Sequence, residues 1–205
     1  MPAKELRKSG KLKIGITGGI GSGKSLACKY FEKLGCKVIY ADRVAKELYS
    51  SNSQLIKRLV AQFGKGILDE NGKLSRPNAR RIIFSDKRNI KRVNSIVHPF
   101  VFREMDKMVS RIKDKVVLFE AAIMFESGSY KRMDYVVLIY ANKETRIKRI
   151  IKRDGVKRRD VLKLMKLQLD EREKAKRADF VIKNNATATA LEKNVKAFSR
   201  ILKTL

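Results

Sequence analysis

The chain is predicted to belong to the α/β class, with a five-stranded parallel sheet flanked by helices, a helical insertion and a helical lid. Three observations predict this. Short apolar, β-branched runs alternate with helical patterns along the 205 residues, the arrangement that covers a parallel sheet on both faces. The stretch Gly18-Gly19-Ile20-Gly21-Ser22-Gly23-Lys24-Ser25 satisfies G-x-x-x-x-G-K-[ST] between a strand-like and a helix-like segment. Two long helical interruptions are far longer than a direct βαβ crossover needs.

The elements follow in order. Residues 1–11 are charged and are read as a flexible extension, and residues 12–205 as one domain. Leu12-Lys13-Ile14-Gly15-Ile16-Thr17 reads as a short buried strand. Residues 25–33 read as a helix, with Leu26, Ala27, Tyr30 and Phe31 at helical spacing. Further strands are expected at 37–41, 116–119, 135–140 and 180–182. From 43 to 115 the pattern is helical, broken by turns at Gly64-Lys65-Gly66, Asn71-Gly72 and His98-Pro99. The nucleotide core is assigned to about 12–45, 112–141 and 175–205, with a helical acceptor-binding insertion at about 46–111. A lid is assigned to about 142–174, built from a basic helix over 145–153, a turn at Asp154-Gly155, and a charged helix over 158–172. The tail, 188–202, places Leu191, Val195, Phe198 and Leu202 at helical spacing and reads as a packing helix.

Composition narrows the function. With 43% hydrophobic residues the chain can bury one α/β core and a smaller appendage. No apolar run reaches the length of a membrane span, and residues 1–13 lack the apolar centre of a secretory signal. A cytoplasmic enzyme with no membrane partner is expected. Cys28 and Cys36 stand in no metal-ligand spacing and read as small core residues. A formal net charge of +28 suits either a nucleic-acid binder or an enzyme of polyanionic substrates. The charges spread over the polar faces of helices and accompany no recognition module. They read as solvated surface, with no specific nucleic-acid partner and only weak, salt-sensitive binding to RNA.

The glycine-rich segment carries the chemistry. Its glycines let backbone N–H groups converge on an anion, and the helix N-terminus adds a favourable dipole. Lys24 would reach the β- and γ-phosphates of a nucleoside triphosphate, and the Ser25 hydroxyl would help hold Mg²⁺. Ligands of open parallel sheets bind beyond the carboxyl ends of the strands, where Asp42 and Glu120 directly follow two of the expected strands. Both are expected to face the phosphate loop. Asp42 reads as a base for an acceptor hydroxyl or as the N-cap of a helix over 43–49. Glu120 reads as an orienter of Mg²⁺ or as one side of a structural ion pair. Arg146, Arg149 and Arg153 lie at i, i+3 and i+7 on one helix face, where they would oppose the charge on a transferring phosphoryl group or remain solvated. His98 is the single histidine.

The loop with Thr17 before it, followed by Val38-Ile39-Tyr40-Ala41-Asp42, resembles the dephospho-CoA kinase family. The likeness continues through Phe63-Gly64, Ile67-Leu68, Gly72-Lys73-Leu74-Ser75-Arg76, Arg81-Ile82-Ile83-Phe84-Ser85-Asp86 and Ile96-Val97-His98-Pro99. It includes Glu120-Ala121-Ala122-Ile123-Met124-Phe125-Glu126 and Arg177-Ala178-Asp179-Phe180-Val181-Ile182-Lys183-Asn184-Asn185. The resemblance implies a P-loop kinase that moves the γ-phosphate of ATP to the ribose 3′-hydroxyl of dephospho-CoA, the last step of coenzyme A synthesis. It implies ATP contacts from Gly18, Gly19, Ile20, Gly21, Ser22, Gly23, Lys24, Ser25 and Leu26, and from Arg149 and Asn184. Asp42 matches the family's catalytic base, and Lys24 and Arg149 its other catalytic groups. Arg76, Arg80 and His98 match positions at the acceptor, and Mg²⁺ would be held by Ser25 and, through water, Glu120. ATP and dephospho-CoA are thus the expected partners of a monomer or weak oligomer.

The sequence departs from the family at Tyr40, where an aspartate is common, at Leu26, where threonine is usual, and at Ala122, where proline is usual. None of these removes a group that the mechanism requires. A nucleoside or nucleoside monophosphate kinase is the alternative within the same loop chemistry, and a nucleotide-regulated RNA-binding protein is the alternative that the charge suggests.

Overall fold

The computed structural model describes residues 10–202 and 204, without the side chains of Arg76, Phe84 and Lys87. Residues 1–9 of the expected extension lie outside the described residues, while Lys11 donates its ammonium to the Ile112 carbonyl. The described residues form two compact units, one of residues up to 39 with 112 onward, the other of residues Tyr40–Arg111.

The first unit owes its centre to apolar runs short enough for strands. These are β1 (Leu12–Thr17), β2 (Lys37–Tyr40), β3 (Val116–Glu120), β4 (Tyr135–Tyr140) and β5 (Phe180–Lys183), in the sheet order β2-β3-β1-β4-β5. Pairing is parallel, with Leu12 beside Val116, Ile14 beside Tyr135, and Val137 beside Phe180. Strands buried on both faces need side chains that are apolar throughout, as Val136, Val137, Leu138 and Ile139 are. Two aspartates extend the ladders below the strands. Asp134 accepts from Lys13 N at 2.7 Å, and Asp179 accepts from Val136 N at 2.8 Å.

Helix α1 (Lys24–Lys33) follows the glycine-rich loop and buries Ala27, Cys28 and Phe31. Burial pushes the Cys28 thiol up to about 12, so it packs as a small neutral group. The tail forms a helix over Ala188–Leu202 whose buried face carries Leu191, Val195, Phe198 and Leu202. Phe198 meets Phe31 edge-on, with centroids 6.3 Å apart, and Phe180 at 5.1 Å. Phe31→Ala should therefore cost about 3–5 kcal/mol, read as a lower unfolding midpoint in urea with an unchanged slope.

The second unit is helical: α2 (Ala41–Ser51), α3 (Ser53–Phe63), α4 (Arg76–Phe84) and α5 (Lys87–Arg111). Asn52 caps α3 by accepting from Leu55 N at 2.9 Å, and Ser75 caps α4 by accepting from Asn78 N. Gly64, at φ 80°, ends α3 in a conformation that glycine tolerates. The turns expected at Gly64-Lys65-Gly66 and Asn71-Gly72 are present: Gly64 leads into a 3-10 turn over Lys65–Ile67, and Gly72 N bonds to Asp69 O.

Three local expectations need correction. The turn read at His98-Pro99 is absent, because Pro99 lies inside α5. Proline costs one backbone bond there, but Val97, Phe100, Val101, Met105 and Val109 keep the helix face buried on both sides of it. The helix read over 158–172 is two, α7 (Arg158–Met165) and α8 (Glu171–Arg177), after α6 (Lys143–Asp154). Asp170 restarts the chain as the cap of α8, its carboxylate accepting from Arg172 N. The helix after β2 starts at Ala41, so Asp42 lies in its first turn and Tyr40 is the N-cap. The tail helix is accordingly α9. Among the described residues, no helix is long and apolar enough to cross a membrane.

Candidate active site

The glycine-rich loop joins the buried end of β1 to the first turn of α1, both in the first unit. Gly23 adopts φ 87° and ψ 17°, a left-handed geometry that is costly for residues with a Cβ. A Cβ there would also strike the Asn184 side-chain amide. Gly19 is held as closely, because a Cβ on it would meet the Arg146 guanidinium and the Glu171 carboxylate.

The backbone N–H groups of the loop divide into two sets. Gly19 N donates to Glu171 Oε1 at 2.9 Å, Ile20 N to Gln168 Oε1 at 2.9 Å, and Ser22 N to Gly19 O at 3.0 Å. Leu26 N turns back to Gly23 O at 3.1 Å. Among the described residues, the amides of Gly21, Gly23 and Ser25 donate no hydrogen bond within the protein. Unpaired amides at a helix N-terminus are what an anion requires.

Charge is placed beside them. Lys24 Nζ forms an ion pair with Glu120, the last residue of β3, and both side chains are nearly buried. Thr17 Oγ1 donates to Ala121 O at 2.9 Å, tying the ends of β1 and β3 together. Ser25 is exposed, and its hydroxyl has no protein partner among the described residues. An exposed hydroxyl and a nearby carboxylate suit a hard cation that keeps waters and phosphate oxygens as its other ligands. Among the described residues, no group of three or more His, Cys, Asp and Glu side chains could form a closed metal cage.

The three arginines of α6 do not act alike. Arg146 is buried and donates from Nε to Ile20 O at 2.9 Å. Burial pulls its guanidinium below the usual value, opposed by the charge of Glu171. Arg149 donates to the carbonyls of Asn184 at 2.9 Å and Ala186 at 3.1 Å. Asn184 in turn donates from Nδ2 to Ser22 O at 2.7 Å, so Arg149 reaches the loop through Asn184. Arg153 is exposed and pairs with Asp154.

Nothing in the sequence alone marks Glu171, Gln168 and Lys174. Lys174 is fully buried, 3.1 Å from Glu126 Oε1 and 3.3 Å from Ala122 O. The i,i+3 spacing of Glu171 and Lys174 was the available signal, but it does not separate a buried pair from the many solvated ones in this chain.

In the second unit, Asp42 and Arg80 line one cavity of about 450 Å³, together with Tyr49, Phe63, Ile67 and Ile83. Its wall is mostly apolar with charge at few points, the composition of a small-molecule site. Burial raises the Tyr49 phenol. His98 is not among the residues lining this cavity. It is half-buried in α5 with its ring 5.7 Å from that of Phe102, and burial lowers its pKa, which favours the neutral imidazole. The Arg76 side chain lies outside the described residues, although its backbone opens α4.

A family model described as Dephospho-CoA kinase matches residues 12–190. The Dephospho-CoA kinase of Fusobacterium nucleatum is 37% identical over 185 residues, 90% of this chain and 95% of its own. A crystal structure from Thermus thermophilus superposes with a TM-score of 0.81 at 32% identity, covering 94% of this chain and 98% of the other. A Dephospho-CoA kinase structure from Campylobacter jejuni gives a TM-score of 0.69 at 28% identity, with the same coverage of 94% and 98%. A matched model over most of the chain and relatives alike along nearly their whole length show that this chain belongs to the dephospho-CoA kinase family.

Proposed function

We propose that this chain transfers the γ-phosphate of ATP to the ribose 3′-hydroxyl of dephospho-CoA, giving CoA and ADP. The observation that carries the donor half is the set of unpaired amides at Gly21, Gly23 and Ser25 beside Lys24. They bind the triphosphate oxygens without needing counter-charges of their own. On nucleotide binding, Lys24 exchanges Glu120 for the β- and γ-oxygens. Glu120 is then left to accept from waters around the phosphates.

Mg²⁺, when bound with the nucleotide, neutralises charge on the β- and γ-oxygens. Ser25 Oγ is the protein ligand available for it, with Glu120 acting through water. The remaining work belongs to side chains. Asp42 accepts the proton of the 3′-hydroxyl, and Arg80 and the apolar cavity walls hold the acceptor. His98 and Arg76 are assigned to the acceptor by likeness to the family alone, since His98 is not among the residues lining this cavity and the Arg76 side chain lies outside the described residues. We place the activity in the cytoplasm, which the free Cys28 and Cys36 support.

Arg149 is assigned to the nucleotide phosphates, where its place beside Asn184 and the loop supports it. Arg149→Ala should lower kcat by more than it weakens ground-state ATP binding, since positive charge counts most as charge develops on the transferring group. Parallel titration of ATP binding and steady-state turnover measures the difference. Equal losses would make Arg149 a simple ATP contact.

The function is tested by a coupled assay of ADP release that compares dephospho-CoA with nucleosides and nucleoside monophosphates. Turnover with dephospho-CoA should exceed that with any of the others. Preference for a nucleoside monophosphate would move the chain to the alternative kinase class.

A further inference from the structure

A buried ionic chain runs from the phosphate loop into the segment that follows α7. Glu171 Oε1 accepts from Gly19 N at 2.9 Å and lies 3.6 Å from Arg146 and 3.8 Å from Lys174. Lys174 continues to Glu126 at 3.1 Å, and Glu126 accepts from Leu169 N at 2.8 Å. Gln168, next to Leu169, accepts from Ile20 N at 2.9 Å, while Arg146 takes the Ile20 carbonyl at 2.9 Å. Arg146 and Glu171 are each 5% exposed and Lys174 is 0% exposed.

Folding alone does not explain such a set. Buried ion pairs often contribute no more than well-packed apolar groups of the same volume, because desolvation offsets their attraction. What this set does supply is fixed acceptors at two neighbouring backbone amides. Those amides, of Gly19 and Ile20, immediately precede the ones left unpaired at Gly21 and Gly23. Burial pushes the Glu171 carboxyl above the usual carboxylate range, Arg146 and Lys174 oppose that shift, and one of its oxygens accepts from Gly19 N.

We infer that Glu171 is a positioning residue: with Gln168 it holds the Gly19 and Ile20 amides of the phosphate loop, so that those of Gly21, Gly23 and Ser25 stay open for the triphosphate of ATP. Arg146 and Lys174 in turn hold Glu171. The order of the chain around α8 and the ATP-ready shape of the loop are therefore one property. This rests on the reading of the loop as the ATP site. A loop that must be ordered by its ligand binds it more weakly by the fraction of time it is out of shape, so the effect falls on ATP and not on the acceptor.

The test measures KM for ATP, KM for dephospho-CoA, kcat and ATP affinity by calorimetry in Glu171→Ala, Glu171→Gln and Gln168→Ala. Loss of a charged acceptor in Glu171→Ala should raise KM and Kd for ATP about 10- to 100-fold, with KM for dephospho-CoA unchanged. Glu171→Gln keeps an acceptor for Gly19 N and should recover most of the ATP affinity. Glu171→Ala leaves Lys174 and Arg146 without their shared carboxylate and can fail to fold. Gln168→Ala removes no charge, so it decides the matter then, with a several-fold rise in KM for ATP alone expected from one lost hydrogen bond. Wild-type ATP affinity in Gln168→Ala, together with wild-type affinity in any Glu171→Ala protein that folds, would overturn the inference. So would equal rises in both KM values. Lys24→Ala is run beside them. If it is inactive while the other variants bind ATP normally, only the role of Glu171 fails, whereas full activity of Lys24→Ala would remove the loop reading itself.

Discussion

Lys24→Ala should lower kcat for phosphoryl transfer by about 10²–10³-fold, the usual loss when one preorganised group at developing charge is removed. The nearly buried ion pair with Glu120 adds a second consequence. Removing the lysine leaves a carboxylate without its counter-charge, which is costly when little water reaches it. Thermal stability should therefore fall as well, and turnover must be measured on protein shown to be folded. Lys24→Ala/Glu120→Gln separates the two effects. It should regain stability, because the stranded charge is gone, and regain no activity. A Lys24→Ala enzyme with wild-type kcat would leave Lys24 as nothing more than a partner for Glu120.

Asp42→Asn should reduce kcat by about 10²–10⁴-fold, the range of general-base assistance. The structure makes this substitution cleaner than its sequence position suggests. Asp42 lies in the first turn of α2 behind an N-cap supplied by Tyr40, so the change removes no cap. The loss of a negative charge near the helix N-terminus costs only about 0.3–1 kcal/mol. Asp42 is also exposed, and asparagine fits the same space. Binding of dephospho-CoA should persist. A loose transition state asks less of a base, so lost acceptor binding with nearly unchanged kcat would recast Asp42 as a positioning group for the acceptor. Unchanged binding and turnover in a folded protein would exclude it from the site.

What could be read in advance followed from local physics. β1 and β4 coincide with their expected ranges, and the tail helix with its own, because a short apolar run bounded by polar residues has few other ways to bury itself. The phosphate loop was legible because its glycines meet a backbone requirement visible in one dimension, as at Gly23. Long-range packing hid the rest. Pro99 reads as a break until the buried residues on both sides of it are known to share one helix face. Arg146, Arg149 and Arg153 share one spacing but have three different partners, Ile20, Asn184 and Asp154. Lys174 stands among many lysines, and its burial depends on Glu126 and Ala122, about fifty residues away in the chain.

The central claim is that ATP gives its terminal phosphate to one hydroxyl of dephospho-CoA. It is tested most directly by incubating the enzyme with ATP labelled at the γ-phosphate and dephospho-CoA, then locating the label in the product. One label per acceptor, as a phosphomonoester on the ribose 3′-oxygen, with an equal amount of ADP released, is the predicted result. Label on inorganic phosphate alone, on another hydroxyl, or on a nucleoside monophosphate in preference to dephospho-CoA would contradict it.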